Sequence, residues 1–203
     1  MILILPLLIS NGSWAILYEE LVERDGLTYA PFKDIPFTGK TTGTKQMSFH
    51  EGKLYGEFQT YYDDGQLEYR GFYNYAGELE GKLTEYYESG ALSAIFHYVN
   101  GVLEGEVIYY SVMTEDGTIS STGTMIDGKK HGEWKLYSND GSVWSVRNYR
   151  NGLYHGELLN YWENGQLREK IDYVDGKQHG FMIFYDENGM ETEKIEFKND
   201  VRQ

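Results

Sequence analysis

No cysteine occurs among the 203 residues. That excludes disulfides, thiolate metal sites, Cys nucleophiles and a lipid anchor on an N-terminal Cys. Proline is scarce, at 3 residues. The motifs GxGxxG, GxxxxGK[ST], GxSxG and HExxH are all missing, so nothing signals a dinucleotide fold, a P-loop, a hydrolase elbow or a helical zinc site. Positive charge is short as well: 18 basic residues face 32 acidic ones, a net charge of −14. Such a surface repels phosphate backbones and anionic headgroups, which argues against nucleic-acid and lipid partners. It favours a basic protein partner, or simply solubility.

Long apolar runs are also lacking, with one short exception. Met1 to Ile9 reads MILILPLLI, with eight of nine residues apolar. This is far below the ~20 residues needed to span a bilayer. It fits the apolar core of a secretory signal, and the small-x-small triplet Ser13-Trp14-Ala15 fits a cleavage site. No Lys or Arg precedes the run. We read 1–15 as a signal peptide in preference to a buried N-terminal strand. The mature chain would begin near Ile16 and work outside the cytoplasm, as a periplasmic, outer-surface or secreted protein.

What is abundant is Gly, with 24, and Tyr, with 19. Both are periodic. Gly56, Gly81, Gly105, Gly132, Gly156 and Gly180 open six units spaced by 25, 24, 27, 24 and 24 residues. A turn glycine follows nine residues later at Gly65, Gly90, Gly141, Gly165 and Gly189, and at Gly117 in the third unit, after an insertion at Val112–Thr114. Another glycine stands four residues before each opening one. Five residues after each opening Gly is a tyrosine: Tyr61, Tyr86, Tyr110, Tyr137, Tyr161 and Tyr185. An apolar residue stands two after the opening Gly, an aliphatic two after the turn Gly in five units, and a large apolar residue eight after it.

Two β-rich runs joined by a turn ending in Gly make a hairpin, and Gly supplies the positive φ of that turn. In the second strand the apolar positions two, six and eight after the turn Gly share one parity, so they should line one face. In the first strand Phe58 and Tyr61 lie three apart. Either a bulge near the opening Gly or apolar residues on both faces would explain that. A lone hairpin is marginal, so stability must come from stacking neighbours. The expected fold is all-β, an elongated, twisted, single-layer antiparallel sheet of stacked hairpins. It would comprise an N-terminal cap over 16–38 with an Asp25-Gly26 hairpin, a truncated repeat over 39–55, and six repeats over 56–203.

Units such as Gly132-Glu133-Trp134-Lys135-Leu136-Tyr137-Ser138-Asn139-Asp140-Gly141 resemble the MORN-repeat variant. This is the hGeWkxYyxnGqlxxxxxYxxGkxhG type found in bacterial proteins often labelled YwqK-like antitoxin components. The resemblance covers roughly 36–203. It implies a MORN-like solenoid, no catalytic residues and no cofactor. It also raises a cytoplasmic antitoxin or immunity-type role against a basic toxin, and, through the wider MORN name, lipid association.

The residues that look chemical fall into this frame. His131, His155 and His179 each precede an opening Gly and suggest a metal ladder. Equivalent positions in stacked hairpins lie about 9–10 Å apart, too far for one ion whose ligands must sit at about 2.0–2.2 Å. Acidic pairs such as Asp63-Asp64 and Asp186-Glu187 lack calcium-loop spacing and suit turns. No metal site is expected. The six repeat tyrosines read as a packing ridge of cross-strand aromatic pairs. Tyr62, Tyr87, Trp144 and Trp162 vary among the units, so they are the candidates for partner binding. The repeats leave no long stretch to build a deep pocket, so an enzyme is not expected. The expected function is an exported, non-enzymatic surface for protein–protein contact.

Overall fold

The computed structural model describes residues 16–113 and 117–203. The signal-peptide reading of 1–15, and the end of the insertion at Thr114, lie outside the described residues. Among these there is no α-helix, only a 3₁₀ turn at Tyr18–Glu20.

The chain forms one 15-stranded antiparallel sheet in which neighbours in sequence are neighbours in space. At about 4.8 Å per strand it extends on the order of 60 Å. Six hairpins build it. They are Gly56–Tyr61 with Leu67–Tyr73, Gly81–Tyr86 with Leu92–Val99, and Gly105–Tyr110 with Ile119–Ile126. Then come Lys129–Tyr137 with Val143–Arg150, Leu153–Tyr161 with Leu167–Val174, and Lys177–Tyr185 with Glu191–Lys198. They are units 1 to 6 below.

The sheet has two long edges. One carries the turns inside each unit. The other carries the connections between units: a longer loop, 74–78, between units 1 and 2, and two-residue hairpins at the other four. Asn100-Gly101, Asp127-Gly128, Asn151-Gly152 and Asp175-Gly176 have φ of 48 and 76, 50 and 71, 52 and 83, and 50 and 85°. Positive φ at both central residues is the type I′ geometry that matches strand twist. The N–H of each of these glycines also donates to a carbonyl one unit back, at Leu79, Leu103, Lys130 and Tyr154. Each connection therefore ties two units together.

Register corrects the expected face pattern. Within unit 1, Gly56 pairs with Tyr73 and Thr60 with Tyr69, but Tyr61 pairs with Leu67. One residue of the second strand, Glu68, is extra. The same slip recurs in every unit, at Ser93, Ser120, Trp144, Arg168 and Thr192. A bulge flips the parity beyond it. The aliphatic two residues after the turn Gly thus faces away from those at six and eight, and meets the repeat tyrosine instead. A second slip lies between units at the opening Gly, where Thr122 pairs with Lys135 but Thr124 with His131. For Phe58 and Tyr61 the second explanation holds: Gly56–Tyr61 is uninterrupted and the two residues lie on opposite faces, while the bulges fall in the second strand and between units.

One face is aromatic. Its central row runs Phe58, Gly71, Leu83, Phe96, Val107, Gly123, Trp134, Arg147, Leu158, Ile171, Met182 and Ile195. Arg147 is the sole charge in that row. Rings join along this face from Phe96 through Tyr109, Trp134, Tyr149 and Tyr154 to Tyr173, with centroids 5.7, 6.5, 6.2, 4.8 and 5.1 Å apart. The six repeat tyrosines are not in that ridge. Among the described residues none of them makes a ring–ring contact. Five oppose an aliphatic of their own unit, and Tyr185 opposes Glu191. The cross-strand aromatic pairs expected of them are made by other positions: each tyrosine stands three residues beyond its central-row residue on an uninterrupted strand, which puts it on the opposite face.

Gly123 shows how tightly the ridge packs. A Cβ there would lie 2.1 Å from Trp134 Cδ2, and Trp134 is 3% exposed. The largest apolar cluster lies at the N-terminal end, where Met47, Phe49 and Phe58 pack with Tyr18, Leu21 and Phe37. Gly39–Thr42, paired in parallel with Ile16–Leu17, covers that end, and the Asp25-Gly26 hairpin joins Val22–Arg24 to Leu27–Tyr29. Lys45–Gln46 pairs with the first strand of unit 1 and so joins the long sheet, whereas Gly39–Thr42, Ser48–His50 and Lys53–Leu54 form a separate four-stranded sheet with Ile16–Leu17.

Candidate interaction surface

The turn edge gathers the charge. In the turns at 62–66, 87–91, 138–142, 162–166 and 186–190 stand Asp63, Asp64, Glu88, Asp140, Glu163, Asp186 and Glu187, and no Lys or Arg. Part of this acidity is turn chemistry. Asp64 Oδ1 accepts the Gln66 N–H at 2.9 Å, and Asp140 Oδ1 accepts both the N–H and the hydroxyl of Ser142. Those bonds hold the Asp140 carboxyl below its ordinary value, the hydroxyl contributing most. Asp63, Glu88, Glu163 and Glu187 need no such role: among the described residues their carboxylates make no hydrogen bond or ion pair. They are left to the solvent or to a partner.

The four candidate aromatics all lie on this edge. Three of them tie units together. Tyr62 Oη donates to the Tyr86 carbonyl at 2.7 Å, Tyr87 Oη to that of Tyr110 at 2.8 Å, and Trp162 Nε1 to that of Tyr185 at 3.1 Å. Each reaches the repeat tyrosine of the next unit, and each keeps part of its ring exposed. Burial, then the carboxylates of Glu68, Glu85, Glu88 and Asp64, raise the Tyr62 hydroxyl above its ordinary value. Trp144 is the bulge residue of unit 4 and is 38% exposed, with the Arg147 guanidinium 5.7 Å from its ring.

Clefts open between successive turns. Trp144 and Trp162 line one of about 460 Å³ with Asp140 and Glu163. Trp162 is also a wall of the next, shared with Arg168 and Glu187. Between units 1 and 2, Tyr61 and Tyr62 line a cleft with Asp63, Asp64, Glu68 and Glu88. Tyr87 lines none of these clefts. The edge thus presents shallow aromatic grooves walled by carboxylates. These suit the aliphatic stem and charged head of an Arg or Lys side chain.

The histidines have structural partners. His155 Nδ1 is 3.4 Å from both the backbone N–H and the carboxylate of Asp175. His179 Nδ1 is 3.2 Å from Asn199 Oδ1. At the same position in units 2 and 3, Glu80 accepts the Asn100 N–H at 2.8 Å and Glu104 the Asp127 N–H at 2.9 Å. This residue therefore caps the next connecting turn in these four units. In unit 4, Nδ1 of His131 is buried without a partner. No group of three or more His, Asp or Glu able to hold a metal occurs among the described residues. No helix there is long and apolar enough to cross a membrane.

No curated protein sequence matches the chain. Segments 54–75, 79–100, 130–151 and 154–175 match the model of the MORN repeat variant. These are units 1, 2, 4 and 5, each taken from two residues before its opening glycine. Unit 3 carries the insertion, and unit 6 replaces the charged second residue with Phe181. The chain is a repeat protein of stacked β-hairpins, four of them of the MORN variant type.

Proposed function

We propose that this protein is a non-enzymatic interaction scaffold whose acidic, aromatic turn edge receives a basic segment of a partner protein. The observation that carries this reading is the turn edge: seven carboxylates and no Lys or Arg in the five fully described turns, and grooves walled by Tyr62, Trp144 and Trp162, one of which Arg168 also lines. Solenoid surfaces bind through extended contact, and opposite charge speeds association. The apolar run at 1–9 and the Ser13-Trp14-Ala15 triplet support export, which would place the partner outside the cytoplasm. Titration of a fluorescent Arg/Lys-rich peptide, followed by anisotropy, tests the reading. Saturable binding that weakens with ionic strength is expected. A peptide of the same length with Glu in place of Arg and Lys binding equally well would overturn it.

The antitoxin reading uses the same edge and differs in place. N-terminal sequencing of protein from fractionated cells separates the two: a cytoplasmic chain retaining Met1 would replace export with a cytoplasmic, toxin-neutralising role. Co-flotation with anionic liposomes would replace both with a membrane role, against which the net charge of −14 weighs.

A further inference from the structure

Unit 4 breaks the repeat on the aromatic face. Where the other units place Gly71, Phe96, Gly123, Ile171 and Ile195, unit 4 places Arg147. Where the first three units place Leu54, Leu79 and Leu103, unit 4 places Lys130. The two cations share a neighbourhood. Lys130 Nζ lies 4.1 Å from the Trp134 ring centroid and 5.2 Å from that of Tyr149. Arg147 lies 5.7 Å from the Trp144 ring and donates from Nε to Ser145 Oγ at 3.4 Å. Burial raises the Tyr149 hydroxyl above its ordinary value, and the positive charge of Arg147 acts to lower it. Burial, opposed by Tyr154 and reinforced by Arg147, lowers the Lys130 ammonium below its ordinary value.

Neither cation has a carboxylate partner among the described residues. The chain has 32 acidic residues, so a counterion was readily available in sequence. Placing two like charges together on a half-buried aromatic surface costs stability. Ring faces attract a cation without neutralising it. The Arg fork, beside an ammonium, matches a two-oxygen anion.

We propose that Lys130 and Arg147 form a binding site for an organic anion. Its carboxylate or phosphate sits between the two cations, and its flat or aliphatic framework lies against Tyr149 and Trp144. This site borders the acidic turn edge at Trp144, but its two cations stand on the face of the sheet, and it does not depend on the reading of that edge.

The test is calorimetric titration of the full chain with 2-naphthoate, naphthyl phosphate and inorganic phosphate. Three variants accompany it: Arg147→Ile, as in unit 5; Lys130→Leu, as in unit 3; and Arg147→Gln, which keeps a polar contact to Ser145. The wild type is expected to bind at least one naphthyl anion, and the preferred one tells carboxylate from phosphate. Each variant is expected to lose affinity at least 10-fold while melting at or above the wild-type temperature. Absence of saturable binding of either naphthyl anion would overturn the site, as would unchanged affinity in the folded variants. Equal affinity for inorganic phosphate would overturn the part given to the rings.

Discussion

Gly123→Ala tests whether the aromatic ridge packs as described. The new Cβ would meet Trp134 at 2.1 Å from Cδ2, 2.2 Å from Cε2 and 2.5 Å from Cγ. Ordinary carbon contacts begin near 3.5 Å, so the ring must move by more than about 1 Å. It has little freedom to do so. The ring lies between Tyr109 and Tyr149, under the Lys130 ammonium, and its Nε1 donates to the Thr124 carbonyl at 3.2 Å. Overpacking of this kind costs about 1–3 kcal/mol. Full expulsion of the ring would forfeit roughly 200 Å² of buried surface, about 5 kcal/mol as an upper bound. We expect a loss of about 2–4 kcal/mol in urea unfolding followed by far-UV circular dichroism. Gly128→Ala is the control: φ is +71° there but nothing lies within 4 Å, so only the backbone cost of about 1 kcal/mol applies. Adding Trp134→Leu, the residue units 2 and 5 have at that place, should restore at least half of the Gly123→Ala loss. A Gly123→Ala loss under about 0.5 kcal/mol, or no restoration in the double variant, would refute the packing.

Three further outcomes are expected. Trp162→Phe removes the bond to the Tyr185 carbonyl, so it should cost about 1 kcal/mol and speed amide exchange across the junction of units 5 and 6. His155→Glu should leave the melting temperature unchanged, because Glu104 already caps an Asp-Gly connection in unit 3. His155→Ala should lower it, and a drop with both would show that the imidazole itself matters. Ultraviolet titration should find Tyr69 and Tyr149 ionising at about 12 instead of 10, chiefly through burial. Because folding raises both values, their contribution to stability is complete below pH 10 and is lost as pH rises through 12. Tyr69→Phe and Tyr149→Phe should each shrink that late phase.

The repeat frame is plain in the sequence because Gly and Tyr recur at fixed offsets from Gly56 to Gly189. The Asp25-Gly26 hairpin was equally legible. Asn100-Gly101, Asp127-Gly128, Asn151-Gly152 and Asp175-Gly176 carry the same signal. It is visible at four of the five connections; the one between units 1 and 2 has Ala76-Gly77 instead. The bulges were not legible in the second strands. The extra residue is Glu, Ser, Trp, Arg or Thr in different units, so no residue type marks it, and parity alone puts the aliphatic after the turn on the wrong face. The six tyrosines stand three residues after the apolar position of the first strand, an odd offset that puts them on the other face from the aromatic ridge. Trp162, Tyr62 and Tyr87 vary among units, yet each ties its unit to the next through a bond to a repeat tyrosine's carbonyl, a role that residue type alone does not display. Arg147 and Lys130 were the missed signal. Charges at otherwise apolar or small repeat positions were in plain view, but only the register shows that they share a face.

The central functional claim is that the turn edge, and not the net charge, recognises a basic segment. It is tested most directly by two triple variants of identical charge, Asp63→Asn/Asp64→Asn/Glu88→Gln and Glu57→Gln/Glu78→Gln/Glu106→Gln, titrated with one Arg/Lys-rich peptide at one ionic strength. The first set removes carboxylates from the turn edge, and the second removes them elsewhere on units 1 to 3 and their connection. A loss of at least 10-fold, about 1.4 kcal/mol, confined to the first set is the predicted result. Equal losses in both sets would contradict the claim and reduce the recognition to charge alone.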